Sequence, residues 1–460
     1  MDRAIPVLGA VGVPALCRRN YAVEFRHLLL WCVLIGSIEG NIAGIVAYKT
    51  FGASPLLTSI CWAIPVFMNT LSLFWGVVIR GRPRTPLMFR LAGAVLACAL
   101  SLALVPPEPR WGGWLFAALL ALTHFFFTGL TTLRSSIWNA AYPRSHRGRI
   151  VGNLQTLRLT MIMLSGAAVA WVFDSNALYY RLVYPVVVLI GLVSLIPLRR
   201  LRIRGEAREL RAYRARNGEP RSRSLIAEFR GGLREAGEIL RRDRRFARYM
   251  NAQFLLGAAS FSTDGVLVRA IPESLGLGYY ASSFLMLQLP VLVMLLSIRF
   301  WAPYFDRVGA VHFRVRNTAF WLVVYVCTTA AMLLAERGGP GLMWLTLALL
   351  VLGRAAQGFC QGGGAIAWSI GHLHFASGDQ SDLYMGIHVA LTGLRGMLMP
   401  LLSVWLNATI GNASFAVSVL FAASAFLLFR RLARGEPIPE EAAATISGGL
   451  DPAAVRSDTV

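Results

Sequence analysis

The stretch HLLLWCVLIGSIEGNIAGIVAY (27–48) is long enough and apolar enough to cross a bilayer, yet Glu39-Gly40-Asn41 stands at its centre. A second stretch, MNAQFLLGAASFSTDGVLVRAI (250–271), carries Asp264-Gly265 in the matching place, 225 residues later. Pro65 and Pro290 are also 225 apart, and Trp75 and Trp301 are 226 apart. An acid at bilayer depth, a helix-kinking proline and a tryptophan expected at the membrane edge thus recur in one order. Such a chain reads as two copies of one membrane-embedded half, with a functional site between them.

Working outward, the 460 residues are 56% hydrophobic and only 15% charged, with a mean hydropathy of +0.57. Soluble domains carry about a quarter charged residues. The apolar residues fall into twelve runs of the length a ~30 Å hydrocarbon core requires. Those of the first half are 27–48, 55–79, 87–105, 113–140, 150–173 and 180–198; those of the second are 250–271, 279–303, 316–335, 341–372, 383–407 and 410–429. The predicted fold is all-α and polytopic, two pseudo-repeated six-helix bundles. The net charge of +22 comes from arginines between the runs, which the positive-inside rule explains and nucleic-acid binding does not. Lys49 is the only lysine, a feature ascribed to composition. Six cysteines without a CxxC pair read as small buried hydrophobes, neither a disulfide framework nor a metal site. The His372/His374 spacing is a poor metal signal. Residues 4–17 lack a signal-peptide pattern.

Basic and charge-poor loops alternate, which places both termini in the cytoplasm and the chain in the plasma (inner) membrane. The expected organisation is a cytoplasmic segment (1–26), a first bundle (27–198), a basic linker (199–248), a second bundle (249–434) and a disordered tail (435–460). Within the linker, 199–223 reads as solvated. Leu225, Phe229, Leu233, Ala236 and Leu240 behind Ser224 predict an amphipathic helix on the membrane face.

Within these limits the deep charges are Glu39, Arg158, Asp264, Arg354 and Arg395. Facing lipid, the five would cost about 12–18 kcal/mol together, so they must face one another or water. Helices three, six, nine and twelve carry no deep charge and read as lipid-facing struts. Polar residues on the other helices extend the interior: Asn41, Asn69, His124, Asn139, Gln155, Gln288, Gln357, Gln361 and His388.

The six-plus-six layout resembles the major facilitator superfamily. Ala302-Pro-Tyr-Phe-Asp306-Arg307-Val-Gly309 is similar to that family's loop motif between the second and third helices of a half. Its first-half counterpart at Gly76–Arg84 is degenerate, with Arg80 in place of the aspartate. Tyr142-Pro143, Arg147-Gly-Arg149 and Gly152 resemble the loop between helices four and five. Arg354-Ala-Ala-Gln357-Gly358 resembles an element usual in helix four. Ser165-Gly166-Ala-Ala lacks the proline and paired glycines of drug antiporters. The resemblance implies a cavity lined by helices one, four, seven and ten.

The expected function is secondary transport of a small polar, anionic organic solute by alternating access, coupled to protons. Three deep arginines against two acids leave a positive charge for an anionic solute. Arg158 and Arg395, with Asn41, His124, Gln155, Gln357, Gln361 and His388, are the substrate-binding candidates. Asp264 and Glu39 are the proton-coupling candidates, each expected to pair with Arg158 or Arg395. Asp264 is preferred because its half keeps the intact motif and two deep arginines. Asp306, Arg307 and Arg354 are assigned to gating and structure. No cofactor, metal or enzymatic constellation is expected; the partners are the solute, protons and the bilayer. The alternatives are an exporter of amphiphiles, allowed by Phe125, Phe126, Phe127 and Trp138, and a non-transporting sensor or scaffold.

Overall fold

A computed structural model describes residues 13–79, 81–108, 110–203, 205–217, 225–375 and 381–436. Ser224, Arg80, part of the 376–382 loop and the tail from 437 lie outside these residues. So do the side chains of Asn139, Arg147, Arg149, Leu225, Phe229, Leu233, Asp306 and His372. Among the described residues the chain is helical throughout and crosses the membrane twelve times. Helix 1 has two segments, Ala15–Ile38 and Gly40–Phe51; helix 2 spans Pro55–Met68, Asn69–Leu71 and Ser72–Ile79. Helices 3 to 6 are Arg84–Ser101 with Leu102–Leu104, Gly112–Ala141, Arg144–Ser175 and Tyr180–Leu198. Helix 7 is Arg244–Leu275. Helices 8 and 9 run through Tyr279–Ser283, Phe284–Gln288 and Leu289–Arg337, parted at Gly309 (φ 74°, ψ 171°). Helices 10, 11 and 12 are Pro340–Ile370, Ser381–Ile410 and Phe415–Ala433.

The repeat read in the sequence holds in space, with one correction. Trp75 and Trp301 face into their bundles and are buried, where an edge tryptophan would face the lipid–water boundary. The Trp75 indole donates to Phe125 O of helix 4 at 2.9 Å, and Trp301 donates to Phe359 O of helix 10 at 2.7 Å. Each ring lies over a glycine four residues on, Gly129 or Gly363, where a Cβ would collide with it. An indole can reach a helical carbonyl only where the facing residue is this small. Helices 1 and 7 likewise end alike, on left-handed Gly52 and Gly276 (φ 58° and 63°).

Helices 6 and 12 present exposed apolar rows to lipid, such as Leu182, Leu189 and Ile196, or Leu420 and Leu427. Helix 9 departs from the strut expectation, because it begins earlier than its apolar run and buries Arg314 (2% exposed) beside the Tyr249 hydroxyl. The linker also departs from expectation. Glu206–Asn217 is helical, and Arg84 grips Glu209 through both terminal nitrogens (2.8 and 2.7 Å) while Glu206 takes the Arg84 backbone N–H at 2.7 Å. The expected amphipathic helix is present as Leu225–Arg242. It packs on helix 2 of one bundle and on helices 7 and 11 of the other, with Ala236, Ile239 and Leu240 partly buried there.

The bundles meet through helices 1, 2 and 5 against 7, 8 and 11. At the charge-poor end Lys49 Nζ donates to Leu277 O (2.5 Å), and Thr50 and Tyr279 share a hydrogen bond of 2.7 Å. Asp174 of helix 5 accepts the Tyr279 and Tyr280 backbone N–H groups, and Ser59 donates to Gly265 O. This end is sealed.

Candidate functional site

Helix 7 runs unbroken past Asp264, which is 8% exposed. A carboxylate at that depth requires donors, and helix 10 supplies them from one face. Arg354 Nη1 donates to Asp264 Oδ1 at 2.7 Å, and Gln357, three residues on, donates to Oδ2 at 3.0 Å. The expected pairing of Asp264 with Arg158 or Arg395 is therefore incorrect. Its partner is Arg354 of the same bundle, because i and i+3 on helix 10 face helix 7 together. The rest of the Arg354 fork turns to helix 8. Nε and Nη2 donate to Leu285 O (3.1 Å) and Met286 O (3.4 Å), within the π-helical turn Phe284–Gln288. A π turn disturbs the regular i→i−4 ladder, and here a guanidinium holds two carbonyls of that turn. Gly358 lets helix 10 close against Pro290, where a Cβ would meet the Pro290 carbonyl at 2.3 Å. One ion pair thus joins helices 7, 8 and 10.

Glu39 is treated differently by its own helix. It has extended geometry (φ −60°, ψ 142°) and divides helix 1 in two. A break strands the last carbonyls of the first segment; His124 Nε2 donates to that of Ile38 at 3.0 Å. Among the substrate-binding candidates, His124 is thereby committed to holding the break. Asn41, two residues past it, accepts the Trp62 indole N–H at 3.1 Å. Trp62 packs edge-on against Phe261 of the other bundle (5.8 Å), and Phe261 faces Arg395 (5.7 Å).

Arg395, on helix 11, is 5% exposed. It donates to Gln253 O (2.5 Å) and Thr392 Oγ1 (3.0 Å), and it fills the space over Gly257 that any Cβ would take. Its Nε–H is buried with no acceptor among the described residues. Arg158, half-exposed on helix 5, donates to Gln155 at 3.4 Å and acts on Glu39 electrostatically. Neither arginine has a carboxylate within ion-pair distance among the described residues. Gln361 is half-buried, and His388 is buried edge-on to Trp368 (5.4 Å). Arg307 lies on the surface, donating to Pro303 O at 3.2 Å.

The deep-charge inventory was incomplete. Helix 1 begins at Ala15, a dozen residues before its apolar run, and both Glu24, ahead of that run, and His27, at its start, are buried. The Glu24 carboxylate accepts from the Trp138 indole and, at 2.8 Å, from the Tyr142 hydroxyl. Arg134, inside the fourth apolar run, donates to His27 Nε2 at 2.6 Å; the Nδ1 proton then goes to Ser194 O at 3.0 Å. Arginine has no lone pair to offer, so this ring is the neutral Nδ1–H tautomer. Helices 1, 4 and 6 are joined by these contacts. The identity of residue 134 was a sufficient signal; Glu24 was hidden by Arg26 beside it.

Two repeated six-helix bundles, with charged side chains turned inward between them, make this a polytopic membrane protein of the transporter type. The family model described as Major Facilitator Superfamily matches residues 28–353, and the chain belongs to that superfamily. Solved transporters share the fold at low identity. The inward open xylose transporter XylE from E. coli superposes with a TM-score of 0.63 at 14% identity, covering 92% of this chain and 98% of that one. The bacterial homologue of the iron transporter ferroportin, in its inward-facing state, gives 0.62 at 14%, covering 90% and 98%. The nucleoside transporter NupG gives 0.59 at 15%, covering 90% and 99%. No match was found among curated proteins.

Proposed function

We propose that this protein is a secondary transporter that moves a small, polar, anionic organic solute across the plasma (inner) membrane by alternating access, with its basic face and both termini in the cytoplasm. The observation that carries the anionic reading is Arg395. It is a buried guanidinium with a carbonyl, a hydroxyl and an aromatic ring around it, and among the described residues it has no carboxylate within ion-pair distance and no acceptor for its Nε–H. An isolated charge at this depth is costly, and a carboxylate or phosphate matches the guanidinium fork. Arg158 supplies a second, more open cation across the interface. Phe261 and Trp62 form the bridge between the bundles, so a solute on Arg395 would be felt by both. The cross-bundle contacts at the charge-poor end support a state closed on that side.

Proton coupling is assigned to Asp264. Protonation removes the charge that holds Arg354 and Gln357, frees the guanidinium that restrains the π turn of helix 8, and so loosens helix 8 against helix 10. Reconstituted protein is expected to accumulate solute when a pH gradient is imposed, and Asp264→Asn is expected to abolish that dependence while leaving solute exchange. Accumulation indifferent to the gradient, or unchanged in Asp264→Asn, removes the proton from the mechanism.

A further inference from the structure

Where helices 9 and 12 reach the basic face, a groove of about 460 Å³ opens between them. Arg316 enters it from helix 9, and Arg430 and Arg434 enter from the end of helix 12. His312 lies on its wall, and Tyr304 packs against the Arg316 guanidinium, 5.2 Å from ring centre to charge. None of the described lining residues is acidic. The nearby Glu436 is already taken, by Arg245 and by His374 at 3.0 Å. Below the arginines the groove is apolar, with Ala319 and Phe426 among its walls. Exposed apolar rows continue from it toward mid-membrane, Phe320, Val323 and Val326 on helix 9 and Leu420 and Leu427 on helix 12.

We propose that this groove is a binding site for one anionic phospholipid of the leaflet on the basic face, its phosphodiester held by Arg316, Arg430 and Arg434 and its acyl chains lying along helices 9 and 12. Basic pockets between membrane helices on this side are suited to anionic headgroups. Basic residues at a helix end also answer the helix dipole, and Arg430 and Arg431 both sit in the last turn of helix 12. A dipole accounts for neither Arg316, which comes from another helix, nor the convergence of three like charges on one cavity. Arg431, with the same charge and the same helix end, is outside the groove and serves as the control. The site lies on the lipid-facing side of the second bundle and is separate from the proposed solute path, so it goes beyond that reading and does not rest on it.

The test is native mass spectrometry of the full-length protein in neutral detergent, supplied in turn with phosphatidylglycerol, phosphatidylcholine and inorganic phosphate. Phosphatidylglycerol is expected to be retained over phosphatidylcholine. Each of Arg316→Gln, Arg430→Gln and Arg434→Gln should weaken retention by about fivefold, the effect of one basic residue at an anionic surface. Arg431→Gln should leave it unchanged. Equal retention of phosphatidylcholine, displacement of phosphatidylglycerol by inorganic phosphate alone, or an equal loss in Arg431→Gln would each overturn the proposal.

Discussion

Asp264 and Glu39 occupy matching places in the two halves, yet one is clamped and the other breaks its helix. The difference follows from what faces them. Arg354 and Gln357 meet Asp264 as hydrogen-bond donors, whereas His124 across from Glu39 is occupied by the Ile38 carbonyl. Removing one member of a buried pair leaves an uncompensated charge, at a cost of ~3–5 kcal/mol. Arg354→Gln and Asp264→Asn are each expected to lower the melting temperature of the detergent-solubilised protein, and the double variant to recover part of the loss. Single variants that melt with the parent protein would contradict the clamp. At this scale the sequence showed which charges are deep, because polar residues stand out in apolar runs. The pairing was hidden, since Asp264 and Arg354 are 90 residues apart and nothing in either segment encodes the other.

Among the elements, the membrane helices were legible because hydrophobic length is set by the bilayer: helix 6 begins and ends where its apolar run does. The linker helix Glu206–Asn217 was not, since a helix built largely of charged residues has no hydrophobic period to detect. It contacts Arg84, and that contact holds the Glu209 carboxyl below its ordinary value of 4.5, chiefly through the hydrogen bond from Arg84. A group whose folded value is depressed contributes while it is ionised. The docking of this helix is therefore expected to be at full strength above about pH 4.5 and to weaken as pH falls through the lower folded value. Glu209 is more than half exposed, so the pair's energetic weight is small. Hydrogen exchange over 206–217 should quicken at neutral pH in Glu209→Gln and in high salt. Exchange that ignores both would mean that other contacts hold the helix.

For the molecule as a whole, the repeat was visible as spacing and became physical as contacts, the two indole–carbonyl bonds and the two left-handed glycine ends. The closed end was not visible. Lys49, ascribed to composition, proves to fasten one bundle to the other there, and Asp174 reaches across beside it. Each such contact is worth on the order of 1 kcal/mol, about fivefold in a conformational equilibrium. Spin-label distances across the charge-poor end of Lys49→Ala/Asp174→Asn should show a larger population of separated bundles; an unchanged distribution would place the seal elsewhere. The central claim, that a buried unpaired arginine receives an anionic solute, is tested most directly by thermal stabilisation of the purified protein across matched carboxylate, phosphate and uncharged solutes. The account predicts stabilisation by one anionic class, lost in Arg395→Gln and weakened in Arg158→Gln. Stabilisation by uncharged amphiphiles that persists in both variants would contradict it.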